Sequence, residues 1–336
     1  MNDLRIAVVG AGMMGADHIT RITQRIVGAT VSAVVEPDAG RASAAIANAP
    51  GAQHFTAIED ALASGVVDAV LIATPGQFHE PVLLPAIEAG LPILCEKPLT
   101  PDPESGLRVL AAEQKAGKKL IQVGFMRRFD REYMQLRELI ASGEAGALLA
   151  LRCAHRNPAV PDSYTNPMLI NDSVVHEIDA VRFLTDAPIT AIEVKRPRRN
   201  SLSPSHLDEP VLVLLETADG VLADVEMNVS VQFGYQVKTE AVFEKGIAEI
   251  GRTGGMTLWQ DGRYGRAEHV SFTTRFAEAY DTQIQRWVRA ASQGLIDGPS
   301  AWDGYLAAAA CKAGVEALES GRRVEVEYAE RPAFYA

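Results

Sequence analysis

Residues 4–15 read L-R-I-A-V-V-G-A-G-M-M-G, and this stretch decides the fold of the N-terminal part. Its first half is a short apolar run with adjacent valines, which predicts a buried β-strand. Residues 16–26 then follow a helical pattern. A G-x-G-x-x-G turn between a strand and a helix is typical of dinucleotide-binding proteins, whereas the glycines alone would be weak evidence.

Each glycine of this turn has a predicted task. Gly10 permits the sharp turn, Gly12 lets the backbone approach a pyrophosphate, and Gly15 allows the helix to pack tightly on the strand. The N–H groups at the start of the helix, around Met13 and Met14, are predicted to bind the anion.

A second predicted strand, residues 30–35, ends at Glu36, about 20 residues beyond the last glycine. A carboxylate at this place accepts hydrogen bonds from the adenosine ribose hydroxyls and repels a 2′-phosphate. The sequence therefore predicts NAD as the cofactor. Arg41 leaves NADP open, because its guanidinium could reach around to a phosphate.

Apolar strands are predicted again at residues 67–73, 92–95 and 120–125, with helices between them. This alternation predicts an α/β fold with a doubly wound parallel Rossmann sheet, whose ligands lie at the carboxyl ends of the strands. The residues predicted to contact the cofactor from those ends are Thr74, Pro75, His79, Glu96 and Lys97.

Lys97 follows a buried strand at this edge, so its ammonium could also hold the oxygen of a reacting alcohol and stabilise developing charge. His18 has no partner at catalytic spacing and is interpreted as structural.

Residues 171–179, N-D-S-V-V-H-E-I-D, are predicted to form a helix. At about 100° per residue, Asp172, His176 and Asp179 share one side of it. The apolar residues gather on the opposite side: Val174, Ile178 and Val181. The helix would present two acids and an imidazole to a cleft, although a surface helix with an ordinary Asp/His pair fits the same pattern.

After residue 123 the pattern changes to strands with few helices between them, which predicts a large open, mainly antiparallel sheet. The predicted domains are residues 1–123, binding NAD, and 124–336, binding substrate and forming oligomers. Helical segments at residues 280–291 and 301–320 are expected to close the second domain. Because helices are too few to cover both faces of the sheet, we expect a homo-oligomer.

Composition excludes several classes of protein. A chain of 336 residues with 47% hydrophobic and 22% charged residues is typical of a globular protein, and its net charge of −11 argues against nucleic-acid or anionic-membrane partners. Three cysteines, no apolar run of about 18 residues and no signal-peptide pattern predict a cytoplasmic protein. Histidines and cysteines lack metal-ligand spacing, so no metal is expected.

Several motifs carry a family resemblance: G-A-G-M-M-G at 10–15, E-K-P at 96–98, V-G-F-M-R-R-F-D at 123–130, A-H-R-N-P at 154–158 and V-H-E-I-D at 175–179. Through them nearly the whole chain resembles the glucose-fructose oxidoreductase and inositol dehydrogenase family, and within it the inositol 2-dehydrogenases. E-K-P marks only the broad family, whereas the motifs around residues 125–130 and 155–158 are far more specific.

The resemblance implies that Lys97, Asp172 and His176 form a catalytic group. It implies NAD-dependent oxidation of a secondary hydroxyl of a cyclic polyol, foremost myo-inositol to 2-keto-myo-inositol, by a homotetramer. The residues that it implies for substrate binding, besides the catalytic group, are Met126, Arg127, His155, Asn157, Asp179 and Tyr235. The inositol isomer, or a related sugar, stays open.

Three alternatives stay open beside this interpretation. An NADP-linked sugar reductase would use Arg41 to bind the phosphate, and an NAD-dependent glycoside hydrolase would share the cofactor fold. A non-catalytic NAD or sugar sensor would keep the fold without turnover. Such a sensor could dispense with Lys97, Asp172 and His176, and all three are present.

Overall fold

The computed structural model describes residues 3–252 and 256–336. The chain forms two compact units. The first comprises Met1–Met126, Tyr280–Ala308 and Glu330–Ala336, and the second comprises Arg127–Ala279 and Ala309–Ala329.

The N-terminal part of the first unit alternates strands and helices. In chain order these are β1 Leu4–Val9, α1 Met13–Gln24, β2 Ala29–Val35, α2 Ala39–Ala47, β3 Gln53–Phe55, α3 Ile58–Ala63, β4 Ala69–Ile72, α4 His79–Glu88, β5 Ile93–Glu96, α5 Pro103–Ala116 and β6 Ile121–Gly124. All six strands are parallel, in the order β3-β2-β1-β4-β5-β6. The predicted Rossmann sheet is confirmed.

Continuous burial explains why the sequence shows these strands so clearly. Every residue of β4, β5 and β6 is buried, as expected for a parallel sheet covered on both faces. The strand order reverses between β1 and β4, and ligands of such sheets lie beside that switch point, outside the carboxyl ends.

The second unit is built around a larger mixed sheet. Its elements and those that follow are α6 Arg131–Ser142, β7 Leu148–Arg156, α7 Val175–Thr185, β8 Ile189–Lys195, β9 Val211–Thr217, β10 Leu222–Asn228, β11 Gln236–Phe243, β12 Gly246–Ile250, β13 Leu258–Gln260, β14 Arg263–Gly265, α8 Phe272–Arg275, α9 Ala277–Ala291, α10 Ala301–Ser320 and β15 Val324–Glu325. The sheet order is β12-β11-β7-β10-β9-β8-β15, and only the β7–β10 pair among these strands is parallel. The prediction of a mainly antiparallel sheet is confirmed.

The C-terminal helices differ from their predicted place. Most of α9 belongs to the first unit, where Ile284, Trp287, Val288 and Ala291 pack in the same apolar cluster as β1 and α1. The expectation that the helix at residues 280–291 closes the second domain is therefore wrong. Amphipathic spacing predicts that a helix buries one face, but it does not indicate against which sheet.

Candidate active site

The glycine turn lies between β1 and α1 as predicted. A Cβ on Gly15 would lie 1.9 Å from the carbonyl oxygen of Gly10, and Gly10 itself has a φ of +88°. By contrast, a Cβ built on Gly12 would meet no atom of the described residues within 4 Å, apart from those of its chain neighbours. Gly15 and Gly10 are thus required by the fold itself, whereas the exposed Gly12 keeps space open at the start of α1, where Met13 is also exposed.

Glu36 lies at the end of β2 with its carboxylate buried and fully engaged. Its oxygens accept hydrogen bonds from the backbone N–H groups of Ala11 (2.9 Å) and Asp38 (3.0 Å) and from Nη2 of Arg41 (2.8 Å). Burial works against the charged form, but Arg41 and the two N–H groups outweigh it and lower the pKa of Glu36 to about 2. The carboxylate is therefore anionic beside the glycine turn, where a ribose is expected, and Arg41 is paired with it. These features fit a dinucleotide without a 2′-phosphate.

Thr74 and Pro75 follow β4, and His79 begins α4. His79 is fully buried; its Nε2 lies 2.8 Å from the carbonyl oxygen of Thr74 and its Nδ1 lies 2.8 Å from that of Pro98. Burial lowers the pKa of this imidazole. The ring has no surface to offer a cofactor, so the predicted cofactor contact of His79 is corrected: the side chain joins the loops that follow β4 and β5.

Glu96, at the end of β5, is also an internal support. Its Oε1 lies 2.7 Å from Nε2 of the buried His18, and its Oε2 accepts a hydrogen bond from the backbone N–H of Lys97 (3.3 Å). A Cβ on Gly124 would lie 2.9 Å from the same carboxylate. The structure thus agrees with the interpretation of His18 as structural, and it adds the partner: His18 anchors Glu96, the residue before Lys97. Lys97 itself is half-buried.

In the second unit, residues 171–179 are helical as predicted, but their first part departs from α-helical geometry. Leu169–Val174 form a π-helical turn, and α7 begins only at Val175. The i→i+5 pattern of a π-helix makes each turn wider, so Asp172 and His176 do not follow the spacing of an α-helix. Asp172 is half-buried and His176 buried, and α7 is buried nearly all round, which also excludes a plain surface helix.

Asp179 is engaged by arginine. Its two oxygens accept hydrogen bonds from Nε of Arg128 (3.1 and 3.0 Å), and Oδ1 also accepts one from Nη2 (2.6 Å). The carboxylate is almost completely buried and the Arg128 side chain is 15% exposed. Asp179 and Arg128 thus form an internal ion pair.

Three other predicted residues do come together, around a carboxylate that the sequence did not single out. Glu177 binds Nη1 of Arg127 through Oε1, and its Oε2 lies 3.1 Å from Nδ1 of His155. The ring of His155 is 5.9 Å from that of Tyr235 and 6.2 Å from that of His176, measured between centroids. All five side chains are buried.

The charges in this cluster decide its protonation. Burial disfavours the ionised Glu177, but the positive charge of Arg127 and the contact with His155 prevail and lower the pKa of the carboxyl. Burial likewise disfavours the guanidinium, and Glu177 raises the pKa of Arg127 instead. Burial raises the pKa of Tyr235, so its hydroxyl keeps its proton. A neutral phenol, a fixed cation and two imidazoles suit the recognition of hydroxyl groups.

The remaining predicted residues have less specific surroundings. Met126 is buried at the start of the 3₁₀ turn Met126–Phe129. Asn157 is half-buried after β7, and its backbone pairs with Asn228 and Val231. Within residues 3–252 and 256–336, no group of three histidine, cysteine or acidic side chains is arranged to hold a metal ion. None of the described helices has the length and apolarity to cross a membrane.

Known proteins resemble the chain along its length. Residues 4–125 match the model of the oxidoreductase family with an NAD-binding Rossmann fold, and residues 133–249 match the GFO/IDH/MocA C-terminal domain. An inositol 2-dehydrogenase of Corynebacterium glutamicum is 63% identical over 334 residues, and one of Leifsonia xyli is 62% identical over 335 residues, with 99% of this chain and 99% and 98% of the relatives covered.

A solved structure agrees with these relatives. Myo-inositol dehydrogenase from Lactobacillus casei, in complex with NAD(H) and myo-inositol, superimposes with a TM-score of 0.96 at 34% identity and covers 99% of this chain and 100% of its own. The matched models span both halves, and the relatives span the whole sequence. The chain therefore belongs to the GFO/IDH/MocA oxidoreductase family, and its first unit contains the NAD-binding Rossmann fold of that family.

Proposed function

We propose that this NAD-dependent oxidoreductase oxidises a secondary hydroxyl of a cyclic polyol, converting myo-inositol to 2-keto-myo-inositol. The observation that carries the proposal is the full-length likeness to an enzyme that holds both NAD(H) and myo-inositol. The inositol 2-dehydrogenases at 62–63% identity support the same substrate class.

His176 is proposed as the general base. It takes the proton of the reacting hydroxyl while the hydride leaves the same carbon atom, and bound NAD supplies the hydride acceptor. A histidine suits this task because its ordinary pKa, about 6.5, is near the working pH. Asp172 is proposed to orient the imidazole and to favour its protonated form, and Lys97 to stabilise the alkoxide as it forms.

The polar cluster of the second unit is proposed to select the substrate. Arg127, His155 and Tyr235 offer hydrogen-bonding groups from buried positions, and a polyol that leaves one of them unpaired is penalised by about 1–3 kcal/mol. Met126 and Asn157 are proposed to contact the same ring. For Asp179, also implied by the resemblance, the ion pair with Arg128 supports a structural contribution to the site.

Assembly as a homotetramer through the open sheet is proposed from one sheet face. Leu212 and Leu222 are 40% and 44% exposed on the face of β9 and β10 opposite the buried valines. On the same face Arg152 lies 3.7 Å from Glu240. A second copy would cover these leucines. Sedimentation at the mass of a single 36.1 kDa chain would contradict this assembly.

We also propose a cytoplasmic enzyme without nucleic-acid partners. The three cysteines, Cys95, Cys153 and Cys311, are free and buried, which suits a reducing compartment. The net charge of −11 opposes binding to a polyanion.

The decisive experiment incubates the purified protein with NAD or NADP and a panel of inositols, hexoses and glycosides, and follows NADH or NADPH by absorbance and the release of free sugar. Oxidation of myo-inositol with NAD is expected, and the His176→Ala variant should lose about two to four orders of magnitude in kcat while binding NAD normally. Preferential turnover with NADP would favour the sugar reductase. Release of a sugar from a glycoside without net NADH would favour the hydrolase, and no turnover with NAD or NADP would favour the sensor.

A further inference from the structure

Glu177 has no assigned task, although it makes direct contact with two of the proposed substrate-binding side chains. One carboxylate oxygen binds Nη1 of Arg127 and the other lies 3.1 Å from Nδ1 of His155. Glu177 and Arg127 are each 1% exposed and His155 is 3% exposed. Because these side chains are almost completely buried, the position of every proton among them matters.

The position of the hydrogen on His155 follows from these contacts. Nδ1 also lies 3.2 Å from Nη2 of Arg127, so in principle it could accept a hydrogen bond from the guanidinium. In that arrangement the lone pair of Nδ1 would face Oε2 of Glu177, which is anionic. Among the described residues, this buried oxygen would then have no hydrogen-bond donor, because Nδ1 is the group that it contacts. Arg127 depends less on this contact, since its guanidinium also binds Glu177 and lies 5.7 Å from the ring centroid of Phe276. A hydrogen on Nδ1, donated to Glu177, is therefore the better arrangement.

A neutral imidazole with its hydrogen on Nδ1 has a lone pair on Nε2. The ring is held between Tyr235 and His176 by edge and tilted contacts, so it is packed in place. His176 directly precedes Glu177 in α7. The same helical turn thus carries the proposed base and the carboxylate that orients the neighbouring histidine.

We propose that Glu177 is a positioning residue that fixes His155 with its hydrogen on Nδ1, so that Nε2 accepts a hydrogen bond from one particular hydroxyl of the polyol. This inference rests on the proposed function, in which His155 contacts the substrate. It assigns a direction to that contact: the substrate hydroxyl donates, and the imidazole accepts.

The direction can be tested with substrate analogues. A deoxy analogue lacks the hydroxyl, and a deoxyfluoro analogue carries fluorine, which can accept but cannot donate. The ring position that His155 contacts is the one at which removal of the hydroxyl raises KM in the wild-type enzyme but not in His155→Ala. In the wild-type enzyme the fluoro analogue at this position should bind as poorly as the deoxy analogue, about tenfold or more weaker than the natural substrate. A fluoro analogue that binds nearly as well as the natural substrate would overturn the proposal.

Replacing Glu177 should reverse this preference. In Glu177→Gln the amide NH₂ can donate to Nδ1, which moves the ring hydrogen to Nε2. We expect KM for myo-inositol to rise about tenfold with a smaller change in kcat and an unchanged KM for NAD, and the fluoro analogue to bind better than the deoxy analogue. Glu177→Asp keeps the charge and should retain the wild-type order of analogues.

Glu113→Gln is the matched control, because Glu113 is a buried carboxylate of the first unit that accepts backbone N–H groups of Leu120 and Ile121. It should lower Tm without altering KM for the polyol. Wild-type enzyme without activity on inositols would overturn the proposed function. Wild-type activity with identical analogue preference in Glu177→Gln would overturn the present inference alone. If Glu177→Gln does not fold, the comparison of wild type with His155→Ala still decides the direction of the hydrogen bond.

Discussion

Arg41 donates a hydrogen bond to Glu36 across 2.8 Å, so the guanidinium that could have bound a 2′-phosphate is paired with the carboxylate that would repel it. Removing the carboxylate should both release Arg41 and end the repulsion. We expect Glu36→Ala to lower kcat/KM for NAD by about tenfold to a hundredfold and to raise it for NADP. Initial rates with both cofactors measure the change, and Glu59→Ala, at an exposed acid of the same unit, should leave both values unchanged. An unaltered ratio in Glu36→Ala would show that another residue selects the cofactor.

The same carboxylate should make stability depend on pH. The pKa of Glu36 is about 2 in the folded chain, below its ordinary value of 4.5, because Arg41 and two N–H groups outweigh burial. A group with a lowered folded pKa stabilises the protein above its unfolded pKa, and this contribution is lost as the pH falls from about 4.5 towards 2. We expect the difference in Tm between wild type and Glu36→Gln to be constant near neutral pH and to shrink below about pH 4.5. A difference that grows on acidification would contradict the assignment.

The contributions of Gly12 and Gly15 to the glycine turn should separate in mutants. Gly12→Ala meets open space, so Tm should change by no more than about 2 °C, whereas the dissociation constant for NAD should rise because the added methyl group lies at the start of α1. Gly15→Ala would press a methyl group against the Gly10 carbonyl and should cost about 3 kcal/mol or more in unfolding free energy. Thermal unfolding and NAD titration distinguish the two. Equal loss of stability in both variants would refute this separation.

Asp179 and Arg128 should contribute mainly to stability. Asp179→Ala leaves a mostly buried guanidinium without this partner, which is expected to lower the free energy of unfolding by about 3–5 kcal/mol in denaturant titrations. Asp68→Ala is the matched control, since it breaks the exposed pair with Arg5 and should cost less than about 1 kcal/mol. A folded Asp179→Ala enzyme of wild-type stability, with a strongly raised KM for the polyol, would instead indicate direct substrate contact.

The sequence by itself determined the Rossmann sheet, the NAD-binding turn and the existence of a second, mainly antiparallel sheet. These features are local: a parallel strand buried on both faces is a continuous apolar run, and the tasks of Gly10 and Gly15 follow from a few neighbouring residues. Glu36 was found for the same reason, because its distance from the turn is set by one strand–helix–strand unit.

Tertiary structure alone decided which side chains support the candidate site. His18 meets Glu96 from 78 residues away, and Glu177 meets Arg127 from 50 residues away, so no spacing in the chain reveals either pair. The π-helical turn before α7 likewise overrides the α-helical spacing of Asp172 and His176. Strand order and side-chain packing fix these partners. A buried charge is paired with a counter-charge that the fold brings close to it, and this partner can come from anywhere in the chain. Burial of an apolar strand requires only its own apolar residues and a layer of helices that covers it.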